Sequence, residues 1–162
     1  MRDRIATILL VFCSAIFVSC KQPVTEMKSD SPERNFKLAL IQMEVEGGKL
    51  DENLARAIDR ISKAALGGAR IALLPEVMDL GWTHPSARQF AFEIPEGKTC
   101  QALCKAAREN SIYVCAGIVE KHGDKLYNAA IIIDPSGAVI LKHRKINELD
   151  IAHDLYATGD GL

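Results

Sequence analysis

The sequence predicts an α/β chain on a mixed β-sheet, with elements in the order β-α-β-α-β-β-β and helices on one face. Three observations predict it. Between Lys37 and Leu74 an apolar run, an amphipathic stretch closed by paired glycines and a second apolar run follow one another, as in a parallel βαβ crossover. A second amphipathic stretch leads into a third apolar run. The last third then holds apolar runs separated by short polar turns, which favours antiparallel neighbours.

From Lys37 to Met43 the residues Lys-Leu-Ala-Leu-Ile-Gln-Met are apolar almost throughout and read as a buried strand. Glu44 to Gly48 ends it. Asp51 stands where a helix N-cap is needed, ahead of Leu54, Ala57, Ile58, Ile61, Ala64 and Ala65 at helical spacing, and Gly67-Gly68 supplies the stop. Ala69 to Leu74 forms the second strand. Beyond Glu76 the pattern dissolves into Met78-Asp79-Leu80-Gly81-Trp82-Thr83-His84-Pro85, a loop holding the chain's one tryptophan. Loops at strand C-termini are where α/β proteins place their chemistry.

Ser86 to Phe92 reads as a short helix and Pro95-Glu96-Gly97 as a turn. Thr99 is expected to cap a longer helix whose inward stripe is Leu103, Ala106 and Ala107, ended by Asn110-Ser111. Ile112 to Val119 is the third strand, and Glu120-Lys121-His122-Gly123-Asp124 a polar turn. Leu126 to Ile133 and Ala138 to Lys142 pair as a hairpin around the tight turn Asp134-Pro135-Ser136-Gly137.

With 20 basic and 21 acidic residues the charges nearly cancel, so nothing steers the chain toward nucleic acid or another polyanion. A hydrophobic content of 48% supports one packed domain over residues 36–162. Residues 1–20 stand apart from that core. Arg2 and Arg4 precede an apolar run from Ile5 to Val18 that is short for a membrane span and suited to a secretory signal, so the chain is expected to be exported. Ser19-Cys20 at its end looks like a bacterial lipobox, with Phe17 where such motifs carry Leu. That reading makes Cys20 the lipidated N-terminus of a membrane-anchored lipoprotein; a plain secretory signal and an uncleaved anchor are the alternatives. Residues 21–35, with Pro23, Pro32, Ser29 and Ser31, then form a flexible tether.

Cys100, Cys104 and Cys115 are left in the body, an odd number that argues against a disulfide framework and reads as three small buried hydrophobes. His84, His122, His143 and His153 lack metal-ligand spacing, and the glycine pairs lack the Gly-Lys-Ser/Thr arrangement of a phosphate loop. No metal and no cofactor are expected.

Two apolar runs end on residues of opposite charge: Leu73-Leu74-Pro75-Glu76 delivers a carboxylate, and Leu141-Lys142-His143-Arg144-Lys145 an amine. A proton shuttle and a positive centre are two of the three groups that amide cleavage needs, the third being a nucleophile. With their flanks these stretches resemble the nitrilase superfamily, the carbon–nitrogen hydrolases. The matching residues are Lys37 to Gln42, Leu74-Pro75-Glu76 with Gly81-Trp82, Gly117-Ile118-Val119-Glu120, Tyr127-Asn128-Ala129-Ala130, Asp134-Pro135-Ser136-Gly137 and His143-Arg144-Lys145.

The resemblance implies an αββα sandwich, incomplete in this chain, and a Glu-Lys-Cys triad acting on a small amide, carbamoyl compound or nitrile. It implies Glu76 as general base and Lys145 as the cation that stabilises the tetrahedral intermediate. It also implies dimers paired through helices. The family's cysteine follows the lysine, whereas no cysteine follows Lys145 here, and Cys115 precedes it inside an apolar strand. The chain is therefore expected to be an inactive fragment of a longer enzyme. The alternative is a non-catalytic lipid-anchored binding lipoprotein that keeps the fold. Where many members have His-Leu after the lysine, this chain has Ile146-Asn147-Glu148-Leu149; Glu148 is a candidate for the family's second glutamate or a plain carboxylate at a helix start. Tyr156-Ala157-Thr158-Gly159-Asp160 resembles the Gly-Asp turn that leads to the cysteine-bearing strand.

Overall fold

A computed structural model describes residues 35–160. The expected signal segment, Cys20 and nearly all of the tether lie outside the described residues. Leu50–Leu66 forms α1, in which Leu54, Ala57 and Ile61 recur on one side and are buried, while Asp59 and Lys63 pair at 2.7 Å across one exposed turn. Gly67 follows the last turn, and Gly68 at φ +76° lets the chain reverse toward the sheet. Asp51 is not the N-cap. Lys49 holds that position, and Asp51 sits in the first turn, where its charge suits the helix N-terminus and pairs with Lys98.

Five strands make one sheet: β1 (Leu38–Leu40), β2 (Ile71–Leu73), β3 (Tyr113–His122), β4 (Lys125–Ile133) and β5 (Val139–Arg144), side by side in chain order. β1, β2 and β3 run parallel; β3, β4 and β5 alternate. This is the predicted mixed sheet. The short helix α2 (Ala87–Phe90) and the longer α3 (Lys98–Asn110) occupy the β2–β3 connection. Gly97 is the N-cap of α3, so Thr99 is not the cap; it is the helix's second residue and is buried in the first turn. Ser111, in the left-handed region at φ +51°, ends the helix.

The layers follow from strand alternation. Ala72, Val114, Ala116, Ile118, Ile131 and Ile133 point to one face and are fully buried beneath α1 and α3. The other face carries Leu38, Leu40, Ile71, Leu73, Tyr113, Cys115 and Leu141, and among the described residues no helix covers it. Leu40 is 69% exposed and Leu38 47%, so β1 is not the buried strand its apolar run suggested. It is an edge strand with one covered face. The same asymmetry makes Cys115 half-buried, whereas Cys100 and Cys104 are buried in α3 with their sulfurs 3.9 Å apart and unbridged. Burial pushes the Cys100 thiol up to about 12, which keeps it protonated.

The expected polar turn after β3 is shorter than predicted. β3 continues to His122, and only Gly123-Asp124 turn the chain. Glu120 lies inside the strand at 1% exposure because two cations reach it from β5: Lys142 Nζ donates at 2.6 Å, and Arg144 donates through Nε at 2.7 Å and Nη2 at 2.9 Å. The Arg144 guanidinium also stacks 4.1 Å over the Tyr127 ring. Among the described residues no helix is long and apolar enough to cross a membrane.

Candidate active site

Glu76 is placed by close contact between two backbones. Beyond β2, Leu74 N–H donates to Cys115 O, Gly117 N–H to Pro75 O and Met78 N–H to Gly117 O at 2.8 Å. A Cβ at Gly117 would stand 2.7 Å from Glu76 Cα and 2.9 Å from Val77 N, so only glycine admits this approach. Val77 takes φ +48°, a conformation that costs a β-branched residue about 1–3 kcal/mol. Complete burial of its side chain, with the Met78–Gly117 bond beside it, holds it there.

Lys145 is placed from the opposite edge strand, β5. It follows β5, its N–H donates to Asn128 O at 2.8 Å, and its carbonyl accepts from Gly159 N–H at 2.9 Å. A Cβ at Gly159 would overlap the Arg144 carbonyl, so the Gly159-Asp160 turn lies directly on the backbone that carries the lysine. Strand alternation then divides β5 into two functions. Lys142 and Arg144 point to the helix side and neutralise Glu120, while His143 and Lys145 point to the open face.

On that face the two sequence-predicted residues meet, with Lys145 Nζ 2.8 Å from Glu76 Oε1. Asn128 Nδ2 donates to the same oxygen at 2.6 Å. Burial raises the Glu76 carboxyl, but the hydrogen bonds from Lys145 and Asn128 and the Lys145 charge outweigh it and hold the group below the ordinary carboxylate range. Lys145 is raised, chiefly by its hydrogen bond to Glu76. The pair is therefore ionised at neutral pH. It is not the buried pair that burial arguments alone would require: the Glu76 side chain is 51% exposed and that of Lys145 32%.

Glu148 joins the site from the segment after β5. Its carboxylate is fully buried, lies 3.6 Å from Lys145 Nζ and has no hydrogen-bond partner on either oxygen among the described residues. A solvated carboxylate at a helix start would be exposed and hydrated, so that plain reading does not describe it. The short helix nearby begins only at Asp150. Asn128 was not anticipated as a site residue. The available signal was an amide inside the apolar run of β4, where a buried polar group needs a partner.

A cavity of about 290 Å³ opens beside the pair, lined also by Leu73, Cys115, Ala116, Gly117, Ala130 and His143. Burial raises the Cys115 thiol, so it is poorly ionised, as expected for a cysteine with no cation beside it. Trp82 packs half-buried against the core. His84 shares a hydrogen bond with Ser86 Oγ at 2.8 Å. Among the described residues no three His, Cys, Asp or Glu side chains gather as a metal site.

Comparison with known proteins gives the chain relatives in sequence and in fold. The family profile described as Carbon-nitrogen hydrolase matches residues 37–160. The nitrilase of Pyrococcus abyssi is 39% identical over 114 residues, covering 68% of this chain and 43% of that protein. Mouse (Mus musculus) omega-amidase NIT2 is 41% identical over 117 residues, covering 72% and 42%. The chain thus spans less than half the length of these relatives. Among solved structures, a double mutant of the amidase from Nesterenkonia sp. AN1 in complex with acrylamide superposes with a TM-score of 0.69 at 19% identity, over 80% of this chain and 50% of that one. Saccharomyces cerevisiae Nit3 gives 0.69 at 27% identity, over 77% and 49%.

Proposed function

The chain belongs to the carbon–nitrogen hydrolases, and from that premise we propose that it forms the Glu-Lys part of an enzyme cleaving small amides, carbamoyl compounds or nitriles through a cysteine thiol. The observation that carries the reading is the 2.8 Å contact between Glu76 and Lys145 beside an apolar-walled cavity. In this reading the thiol comes from sequence beyond residue 162 in the full-length protein. Glu76 takes the thiol proton, and sulfur adds to the substrate carbon. For an amide or carbamoyl compound, the oxygen that gains the electron pair lies against the Lys145 ammonium. Collapse breaks the C–N bond, and the amine leaves with the proton from Glu76. Glu76 then takes a proton from water as that water adds to the thioester; the C–S bond breaks, Glu76 returns the proton to sulfur and the acid departs.

Glu148 fits this scheme as an acceptor. Its unsatisfied oxygens would take the N–H groups of an amide whose oxygen faces Lys145. An omega-amidase among the relatives and an acrylamide-bound amidase among the structural neighbours support a small amide as the substrate class. The test is an acid quench of the full-length protein during turnover of propionamide, followed by intact mass and peptide mapping. An acyl adduct on a cysteine C-terminal to Lys145, lost in Lys145→Met, is the expected outcome. Ammonia release by Lys145→Met at the wild-type rate would remove Lys145 from the chemistry.

The same proposal places the enzyme outside the cytoplasm, held to a membrane by lipid on Cys20. Its support is the sequence alone, in Arg2, Arg4, the apolar run and Ser19-Cys20. Cys20→Ala is expected to move the protein from the membrane pellet to the soluble fraction. Continued pelleting of that variant would favour an uncleaved anchor instead.

A further inference from the structure

The turn that presents Glu76 is fastened at a second point, three residues further on. Asp79 is completely buried, and its carboxylate accepts the Val119 N–H through both oxygens at 3.2 Å and the Leu80 N–H at 3.0 Å. Its carbonyl accepts from Asn53 Nδ2 at 2.7 Å. Asn53, itself fully buried in α1, also donates to Glu46 O at 2.8 Å and accepts from Glu46 N–H at 3.0 Å and Arg56 Nη2 at 2.6 Å. One side chain therefore ties the end of the Glu76 turn to β3, and its carbonyl ties the same point to α1.

We propose that Asp79 is a positioning residue for Glu76: by bonding β3 at Val119 while Gly117 receives Met78, it holds the 76–81 turn in the one placement that brings the Glu76 carboxylate onto Lys145. The inference rests on the reading of Glu76 and Lys145 as the reacting pair.

Two features favour this role over packing alone. The fastened turn contains Val77 in the left-handed region, a conformation that relaxes unless both ends are fixed. In addition, Asp79 has no cation partner among the described residues. A carboxyl so placed is retained at a cost, since burial pushes it up to about 7 against the backbone hydrogen bonds that favour its charge. An apolar side chain would fill the space without that penalty but would leave the Val119 N–H without its acceptor.

The test uses the full-length protein with Asp79→Leu, Asp79→Asn and, in parallel, Glu76→Gln. Two readouts are taken: kcat and KM on a small amide, and the titration of the Glu76 carboxyl followed by ¹³C NMR. Asp79→Leu is expected to lower kcat about 10²-fold with little change in KM, the effect of misplacing a reacting group by an ångström. The Glu76 carboxyl should titrate at higher pH than in the wild type, because its contacts with Lys145 and Asn128 loosen. Asp79→Asn keeps one acceptor oxygen and should fall between the two; it also carries the test if Asp79→Leu fails to fold. Variants that melt cooperatively yet keep the wild-type kcat and the wild-type Glu76 titration would overturn the proposal. Turnover retained by Glu76→Gln would instead overturn the base role, and the Glu76 titration in the Asp79 variants would still decide the positioning.

Discussion

Replacing Glu76 by Gln in the full-length protein is expected to lower kcat about 10³-fold, within the range that a positioned proton-transfer group contributes. The substitution is nearly isosteric. Its amide oxygen can still accept from Lys145 Nζ and Asn128 Nδ2, which now stand 2.8 Å and 2.6 Å from Oε1, so the fold should hold its melting temperature. What disappears is the capacity to take a proton, along with the carboxylate whose hydrogen bond, and then whose charge, raises Lys145. Lys145 should therefore titrate lower, and substrate affinity should change less than turnover. Acid-quenched mass spectrometry under saturating substrate is the measurement. Wild-type rates of both adduct formation and adduct decay would take Glu76 out of the mechanism.

Glu120→Ala is expected to destabilise the domain by about 3 kcal/mol, the cost of leaving the largely buried Arg144 guanidinium without its counter-ion. Arg144 is only 12% exposed and directs two of its nitrogens at this carboxylate, so removal strands a guanidinium that keeps, among the described residues, Tyr127 and, at 3.7 Å, Asp160. Denaturant unfolding checks it, and a midpoint shift no larger than that of an exposed Glu→Ala control would contradict it. The pH dependence has a definite sign. Burial raises the Glu120 carboxyl, but the bonds from Arg144 and Lys142 and their charges outweigh it and leave the group below its ordinary 4.5. Its stabilising contribution is thus fully present above that value and is lost as the pH falls through the lower folded value. The variant's stability should depend less on pH across that acid window. Because Arg144 immediately precedes Lys145, loss of Glu120 should also blur the placement of the ammonium.

The order of elements was legible because it depends on local pattern, whereas the pairing of Glu76 with Lys145, 69 residues apart, came only from the family resemblance. An apolar run that ends on a charged residue places that charge at a strand terminus, and short turns force neighbouring strands together. What stayed hidden was decided across the sheet. Nothing in Lys37 to Met43 tells which face a strand will have covered, so Leu38 and Leu40 could not be read as exposed. Glu120 stands in a polar run with Lys121, His122 and Asp124, and only the cations of β5 make a buried strand position tolerable for it. Glu148 offered two readings in sequence, and the deciding quantity, its burial beside Lys145, is a tertiary one. Asp79 sat unmarked in a loop because its partners are backbone N–H groups, which no sequence pattern records.

The strands lie in the sheet in the order in which they occur in the chain. Every step from β2 to β5 is a pairing between immediate successors, whereas the Glu76–Lys145 contact links residues 69 apart. Loop closure over that distance becomes inexpensive only after the intervening hairpins have zipped, which places the ion pair among the last contacts to form. A nascent chain would then lack the Glu76–Lys145 contact until the meander had docked on the βαβ unit.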